Sequence, residues 1–272
     1  VIAPAELQNI AIEIAREAGA LARERRAEGV SIAATKSGIA DIVTEADREV
    51  EALIRDRLRV ARPEDGFLGE ESAPEPGVSG VTWVVDPIDG TVNYAYGIPS
   101  YAVSIAAVSG EPDPRSWRAL AGAVFNPAIG EMFHAARGEG AWLDGKRISV
   151  NPEPSEAGAL LATGFGYDPA THAADLARVA RVMPLARDLR RIGAASLDLA
   201  FVAAGRLDGY FERGLHPWDH AAGALLVVEA GGRVGGPDGV PGRGLTVASG
   251  PALFDRLLAA ASEPAEPGLS NG

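Results

Sequence analysis

The stretch WVVDPIDGTVNY, residues 83–94, decides how the chain is read. An apolar run of strand character, Trp83 to Val85, leads straight into two aspartates three positions apart, Asp86 and Asp89, set among Pro87, Gly90 and Thr91. Taken alone, Asp-Pro opens a β-turn, because Pro presets φ at the second position and the Asp side chain bonds the turn backbone. A ligand site is the alternative. A turn at the end of a buried strand aims Asp86, Asp89 and the Ile88 carbonyl at one point, and a hard divalent cation such as Mg²⁺ takes such an all-oxygen set. Gly90 lets the backbone approach a ligand, and Thr91 offers a hydroxyl and an N–H near a helix start, where phosphate binds well.

Working outward, GEES at 69–72 places Glu70 and Glu71 after an apolar run. Two adjacent acids by themselves read as a solvated loop. HPWDHAAG at 216–223 puts Asp219 at a helix start, where a capping aspartate and a ligand are equally good readings. Jointly the acids at 70, 86, 89 and 219 form a mutually repelling set unless cations neutralise them.

Composition narrows the remaining possibilities. The 272 residues are 47% hydrophobic and 23% charged, the balance of a folded protein with a sizeable core. No apolar run approaches the ~20 residues of a membrane span, and VIAPAELQNI lacks the layout of a signal peptide, so a cytoplasmic protein with no membrane partner is expected. The absence of cysteine excludes disulfides, thiolate metal sites and a cysteine nucleophile. With 25 basic against 37 acidic residues the net charge is -12, which disfavours nucleic acid as a partner. The basic clusters RERR (23–26) and RDLRR (187–191) read as a solvated helix face and a rim. His134, His172, His216 and His220 form no catalytic pattern, and the last two read as pocket-rim or structural.

The chain divides near NPEPSEAG, 151–158. Before it, residues 5–27 carry Leu7, Ile10, Ile14, Ala18 and Leu21 at helical spacing. TEAD opens a second helix, with Thr44 as N-cap and Asp47 three positions on. GVTWVVDP, YAVSIAAVSG and the span 119–150 read as strands of a largely antiparallel sheet. After the break, strands ALLATG (159–164), DLRRIG (188–193) and LDGYFE (207–212) alternate with helices near 171–182, 195–205 and 219–232, which predicts an α/β layer. Residues 1–150 and 151–262 are thus expected as an N-terminal α+β and a C-terminal α/β subdomain, with 263–272 a flexible tail.

GEES, WVVDPIDGTVNY and WDHAAG, in this order and at these separations, resemble the inositol monophosphatase family of magnesium-dependent, lithium-sensitive phosphatases, its actinobacterial members above all. The likeness runs from DIVTEAD (41–47) through GIPSYAVSI (97–105) and RRIGAASLDLAFVAAGRLDGYFERG (190–214) to VVEAGGRV (227–234). It implies a layered α-β-α-β-α sandwich and a homodimer that hydrolyses inositol 1-phosphate by metal-activated water. Glu70, Asp86, the Ile88 carbonyl, Asp89 and Asp219 would hold Mg²⁺. Asp47 and Thr91 would activate the water, with Glu71 and Asp41 beside them. Gly90 and Thr91 would cradle the phosphate, while Glu212, Gly193, Ala194 and Ala195 would line the alcohol pocket.

DGTVNY has the inositol-phosphatase form, and a carboxylate at 212 accepts hydrogen bonds from vicinal hydroxyls. Fructose 1,6-bisphosphate stays open as the runner-up, with Arg190, Arg191 and Arg213 available for a second phosphate. Histidinol phosphate, 3'-phosphonucleotides and a non-enzymatic role as a partner of the transcription machinery rank below it. Tyr94 departs from the Phe common in the family, and GEPDPRSW (110–117) reads as an enlarged hairpin loop.

Overall fold

Trp83, Val84 and Val85 lie at 1%, 1% and 0% exposure, so the strand that carries them is covered on both faces. That explains an apolar run where a half-exposed strand alternates with polar residues. The computed structural model describes residues 3–29, 32–35, 42–110, 112–166 and 168–262, without the side chains of 32–35 and 42–44. Asp41, the Thr44 side chain and the tail 263–272 therefore lie outside the described residues.

The chain opens with α1 (Pro4–Glu28), the short antiparallel pair β1 (Ile32–Thr35) and β2 (Ile42–Thr44), and α2 (Glu45–Ala61). β3 (Gly66–Gly69), β4 (Val81–Asp89), the short helix α3 (Thr91–Tyr96), β5 (Ala102–Ser109), β6 (Arg118–Asn126), β7 (Glu131–Ala136), β8 (Gly140–Leu143) and β9 (Lys146–Ile148) follow. Their seven strands form one sheet in chain order, parallel only between β3 and β4.

Beyond the break come β10 (Ala159–Thr163), α4 (His172–Val182), β11 (Ala186–Arg190), α5 (Ala195–Ala203), β12 (Gly209–Glu212), α6 (Pro217–Glu229), β13 (Arg233–Gly235), β14 (Thr246–Ser249) and α7 (Pro251–Ser262). The second sheet runs β11-β10-β12-β14-β13. β10 is parallel to β11 and β12, whereas β14 is antiparallel to both β12 and β13, so the expected α/β layer is a mixed sheet. The expected strand 188–193 also ends early, at Arg190, where the chain turns toward α3 and the Ile192 carbonyl accepts the Asn93 amide at 2.9 Å.

Strand alternation sorts the side chains into layers. Trp83, Val85, Ile105 and Ala123 pack with Leu7, Ile14, Val50 and Ile54 of α1 and α2. Val84, Ala106, Val124 and Phe133 point the other way, into a core shared with Leu197 and Leu199 of α5, Ala222 and Leu226 of α6, and Ala162, Tyr210 and Ala248 of the second sheet. Leu161, Phe211 and Val247 face Val182, Leu253 and Leu257 of the outer helices α4 and α7. The order is helix, sheet, helix, sheet, helix, as the resemblance implied. We propose the break at 151–158 as a subdomain boundary in connectivity only, since the middle core draws on both halves.

Two polar anchors fix β4 and the helix that follows it, one near the start of the strand and one beyond its functional end. Trp83 Nε1 donates to Asp65 at 2.9 Å. The Tyr94 hydroxyl donates to the Ala22 carbonyl of α1 at 2.8 Å, a bond that the commoner Phe lacks and that contributes about 0.5–1.5 kcal/mol net.

Candidate active site

β4 breaks register with β5 between Asp86 and Asp89, and the turn this creates forms one wall of a cavity of about 600 Å³. Glu70, Asp86, Ile88, Asp89, Gly90, Thr91, Gly193, Ala194, Ala195, Glu212 and Asp219 all line it. Residues as far apart as 70 and 219 meet there because β3, β4 and β12 end, and α5 and α6 begin, at the same place.

Each aspartate is held by a local donor. Asp86 Oδ1 accepts the Ile88 N–H at 3.1 Å, the turn bond that Asp-Pro sequences favour. Asp89 reaches α5, where Oδ1 accepts the Ala195 N–H at 3.2 Å and Oδ2 accepts the Ser196 N–H at 2.7 Å and its hydroxyl at 2.5 Å. Asp219 Oδ2 accepts the His216 N–H at 2.7 Å, so its capping role is present. Thr91 Oγ1 lies 3.1 Å from the Ile88 carbonyl and 3.2 Å from Asp47 Oδ1. Its single proton serves one of them at a time.

Gly90 sits at φ 90°, where a Cβ would also press on Ser100, Gly193 and Ala194. The turn and the start of α5 therefore close on each other backbone to backbone.

The carboxylates push on one another. Asp86 holds its proton well above the usual carboxylate range, because burial penalises its charge and Glu70, Asp89, Asp219 and Asp47 repel it. Asp219 is raised in the same sense by burial, then by Asp89 and Glu70. Asp89 is raised by burial and relieved by the Ser196 and Ala195 donors and by Arg191. Among the described residues no three acids or histidines converge tightly enough to form a finished metal cage. Asp86, Asp89 and Asp219 bond to N–H and O–H donors of the same walls. A cation fits this set by charge and by oxygen chemistry, and accepted N–H bonds leave carboxylate lone pairs for it.

Glu212 is pushed up to about 7, chiefly by burial, with the Tyr210 hydroxyl and Arg191 acting against it. Tyr210 donates to Glu212 Oε2 at 2.6 Å, and a Cβ at Gly164 would overlap the same carboxylate. Both supports escape a reading of the sequence, as does Ser196. Glu51 is a further one: it is 1% exposed and accepts the Glu71 N–H at 2.7 Å, fixing the loop that carries Glu70. Helical spacing alone could have flagged Glu51, which shares the buried face of α2 with Asp47.

Asp47 and Glu71 are not among the residues lining the cavity; Asp47 reaches it through Thr91. Arg191 and Arg213 line the cavity, but Arg190 does not. It faces a separate hollow beside Arg187, Arg206 and Asp208 and pairs with Asp188 at 2.7 Å, so it is unavailable for a second phosphate. The histidines also separate. His216 lines the cavity, while His220 is 1% exposed, and burial lowers its pKa to about 4.

Asp198, on α5 behind the cavity, is 0% exposed and neither of its oxygens has a hydrogen-bond partner. Burial, then Glu212 and Asp89, hold its pKa well above the ordinary value. Such a group favours folding fully only below its unfolded pKa of about 3.9, and that contribution is lost as pH rises toward the folded value. Asp198→Asn removes the titration. Its Tm relative to the parent is expected to climb between pH 5 and pH 8, by about 2–4 °C per kcal/mol recovered. Thermal unfolding at both pH values tests this, and a pH-independent offset would contradict it.

Residues 3–267 match the model of the inositol monophosphatase family. An inositol-1-monophosphatase of Mycobacterium bovis is 46% identical, the alignment covering 94% of this chain and 93% of the relative. The Nus factor SuhB of Escherichia coli is 40% identical over 92% and 94% of the two chains. The crystal structure of extragenic suppressor protein suhB from Bartonella henselae superposes with a TM-score of 0.86 at 36% identity, covering 95% of this chain and 99% of that one. Sequence match over nearly the full length, and the same arrangement of layers, make this chain a member of the inositol monophosphatase family.

Proposed function

We propose that this chain is a Mg²⁺-dependent phosphomonoesterase that hydrolyses inositol 1-phosphate to inositol and phosphate. One observation carries the reading: buried, mutually repelling carboxylates at one end of β4 face the same cavity as the Thr91 hydroxyl, itself bonded to buried Asp47. Glu70, Asp86, the Ile88 carbonyl, Asp89 and Asp219 are the residues that would hold the ions. Bound Mg²⁺ would supply positive charge to offset these acids, lower the pKa of a water and stabilise charge on the phosphoryl group.

The chain's own residues do the rest. Asp47 accepts a hydrogen bond from the Thr91 hydroxyl, which leaves a lone pair of Oγ1 to accept from the attacking water and orient it. Glu71, on the loop fixed by Glu51, would assist that pair. The Gly90 and Thr91 N–H groups would hold phosphate oxygens. Glu212, braced by Tyr210, meets the alcohol hydroxyls as acceptor when ionised and as donor when protonated. Gly193, Ala194 and Ala195 leave room for the ring.

Lithium inhibition, a homodimer and a cytoplasmic location belong to the same proposal; among the described residues no helix is long and apolar enough to cross a membrane. A transcription role belongs to the E. coli relative by its name. The complete acidic set favours hydrolysis here.

Phosphate release in Mg²⁺ from inositol 1-phosphate, histidinol phosphate and a 3'-phosphonucleotide tests the reading. The inositol ester is expected to have the highest kcat/KM of the three. Release from none of them, by folded protein, would overturn it.

A further inference from the structure

Along α2 the charged residues Asp47, Glu51, Arg55 and Arg59 follow one another at intervals of four, a spacing that lays them in one slowly winding row. Only Asp47 has a part in the proposed chemistry. Glu51 and Arg55 are nonetheless drawn out of solvent, with 2% and 22% of their side chains exposed. Each residue of the row after Asp47 holds a point on the segment that follows β3. One Glu51 oxygen accepts the Glu71 N–H at 2.7 Å, and the other faces Arg55 Nη2 at 3.4 Å. Arg55 Nη1 donates to Glu75 at 3.0 Å, and its guanidinium lies over the Phe67 ring, 5.2 Å from the centroid. Arg59 closes on both Glu75 oxygens, at 2.8 and 3.0 Å.

The segment is folded back to meet this row. Phe67 and Glu75 exchange two backbone bonds of 2.8 Å, and Gly77 lies so near Gly66 that a Cβ on it would overlap the Gly66 nitrogen. The Glu51 carboxylate sits against Gly69, where a Cβ would displace it. Glycine immediately before Glu70 thus lets a buried acid reach under the loop. For the fold alone an apolar side chain at 51 would serve at least as well as a buried charged pair. What an apolar side chain could not do is accept the Glu71 N–H.

We propose that Glu51, with Arg55 as its partner, is a positioning residue that sets where Glu70 stands and thereby the affinity of the site for Mg²⁺. The proposal deepens the phosphatase reading and rests on it. Asp47 and Glu51 lie one turn apart, so the acid bonded to Thr91 and the loop that carries Glu70 are placed by one rigid element. Asp86, Asp89 and Asp219 take their donors from other segments and keep their places when residue 51 is changed. A change there weakens cation binding from the Glu70 side and leaves the alcohol pocket as it was.

The test measures Mg²⁺ binding by calorimetry, without substrate, in the parent protein, Glu51→Ala, Glu51→Gln, Arg55→Met and Arg59→Gln. Hydrogen exchange of the backbone at 70–75 and the kinetics of phosphate release from inositol 1-phosphate are followed in the same samples. Glu51→Ala is expected to raise the Mg²⁺ Kd about tenfold, as loss of a group that orients a metal ligand does, and to speed exchange at 70–75. The Mg²⁺ needed for half-maximal release should rise by the same factor, while KM for the ester at saturating Mg²⁺ changes less than about twofold. Glu51→Gln keeps an acceptor oxygen for the Glu71 N–H and should recover part of the affinity. Arg55→Met should weaken Mg²⁺ a few-fold, and Arg59→Gln should match the parent, because its pair with Glu75 is exposed. Parent affinity in Glu51→Ala overturns the proposal, whatever the change in stability, and leaves the phosphatase reading intact. Where that variant does not fold, parent affinity in both Glu51→Gln and Arg55→Met overturns it. Absence of Mg²⁺ binding by the folded parent removes the metal reading, and the proposal with it.

Discussion

Asp89→Asn is expected to lower kcat at least about 100-fold and to raise the Mg²⁺ concentration needed for half-maximal activity. Two losses combine in this one change. The site gives up a negative charge from a set whose proposed task is to hold cations. The start of α5 also loses its acceptor, because both Asp89 oxygens take donors from Ala195 and Ser196. An amide keeps one acceptor oxygen and turns an NH₂ toward N–H groups that have no lone pair to offer. Ser196→Ala separates the two contributions. It removes only the hydroxyl bond and leaves the carboxylate charge, so its effect should be several-fold at most. Undiminished turnover in Asp89→Asn, with the Mg²⁺ dependence unchanged, would remove Asp89 from the proposed metal set.

Much of this architecture is legible in local patterns. Helices α1 and α4 each display a helical period, the strands of the first sheet and helices α5 and α6 read as apolar runs set off by Gly and Pro, and the observed bounds fall close to those read from the chain. The break itself was visible as a change of composition, though not the core that crosses it. That core depends on which faces of α5 and α6 meet both sheets, and both helices are apolar nearly all round. Their sequence therefore announces burial without naming the neighbours. β13, β14 and α7 were not anticipated, since three or four residues among Gly and Pro give too short a pattern.

The site divides in the same way. The acids at 70, 86, 89 and 219 were readable because each follows a strand or opens a helix, and their cation chemistry follows from residue type. The pairing of Asp47 with Thr91, 44 residues apart, came only with the family resemblance. Arg190 and Arg191 illustrate a signal that was present but unused. Adjacent residues at the end of an extended segment point to opposite sides, so the two could not both serve one cavity. Ser196, Tyr210 and Asp198 had no such signal, because their relevance arises from long-range packing.

Metal removal has the largest effect of all in this account. Without cations the buried carboxylates repel one another and any incoming phosphate, so neither substrate binding nor water activation survives. The decisive measurement is phosphate release from inositol 1-phosphate by protein stripped with a chelator and then titrated with Mg²⁺, its folding followed in parallel by circular dichroism. Release below about a hundredth of the saturated rate is expected in the stripped protein, with recovery as Mg²⁺ is added. Release at the full rate from folded, metal-free protein would contradict the claim that these carboxylates form a metal-dependent phosphatase site.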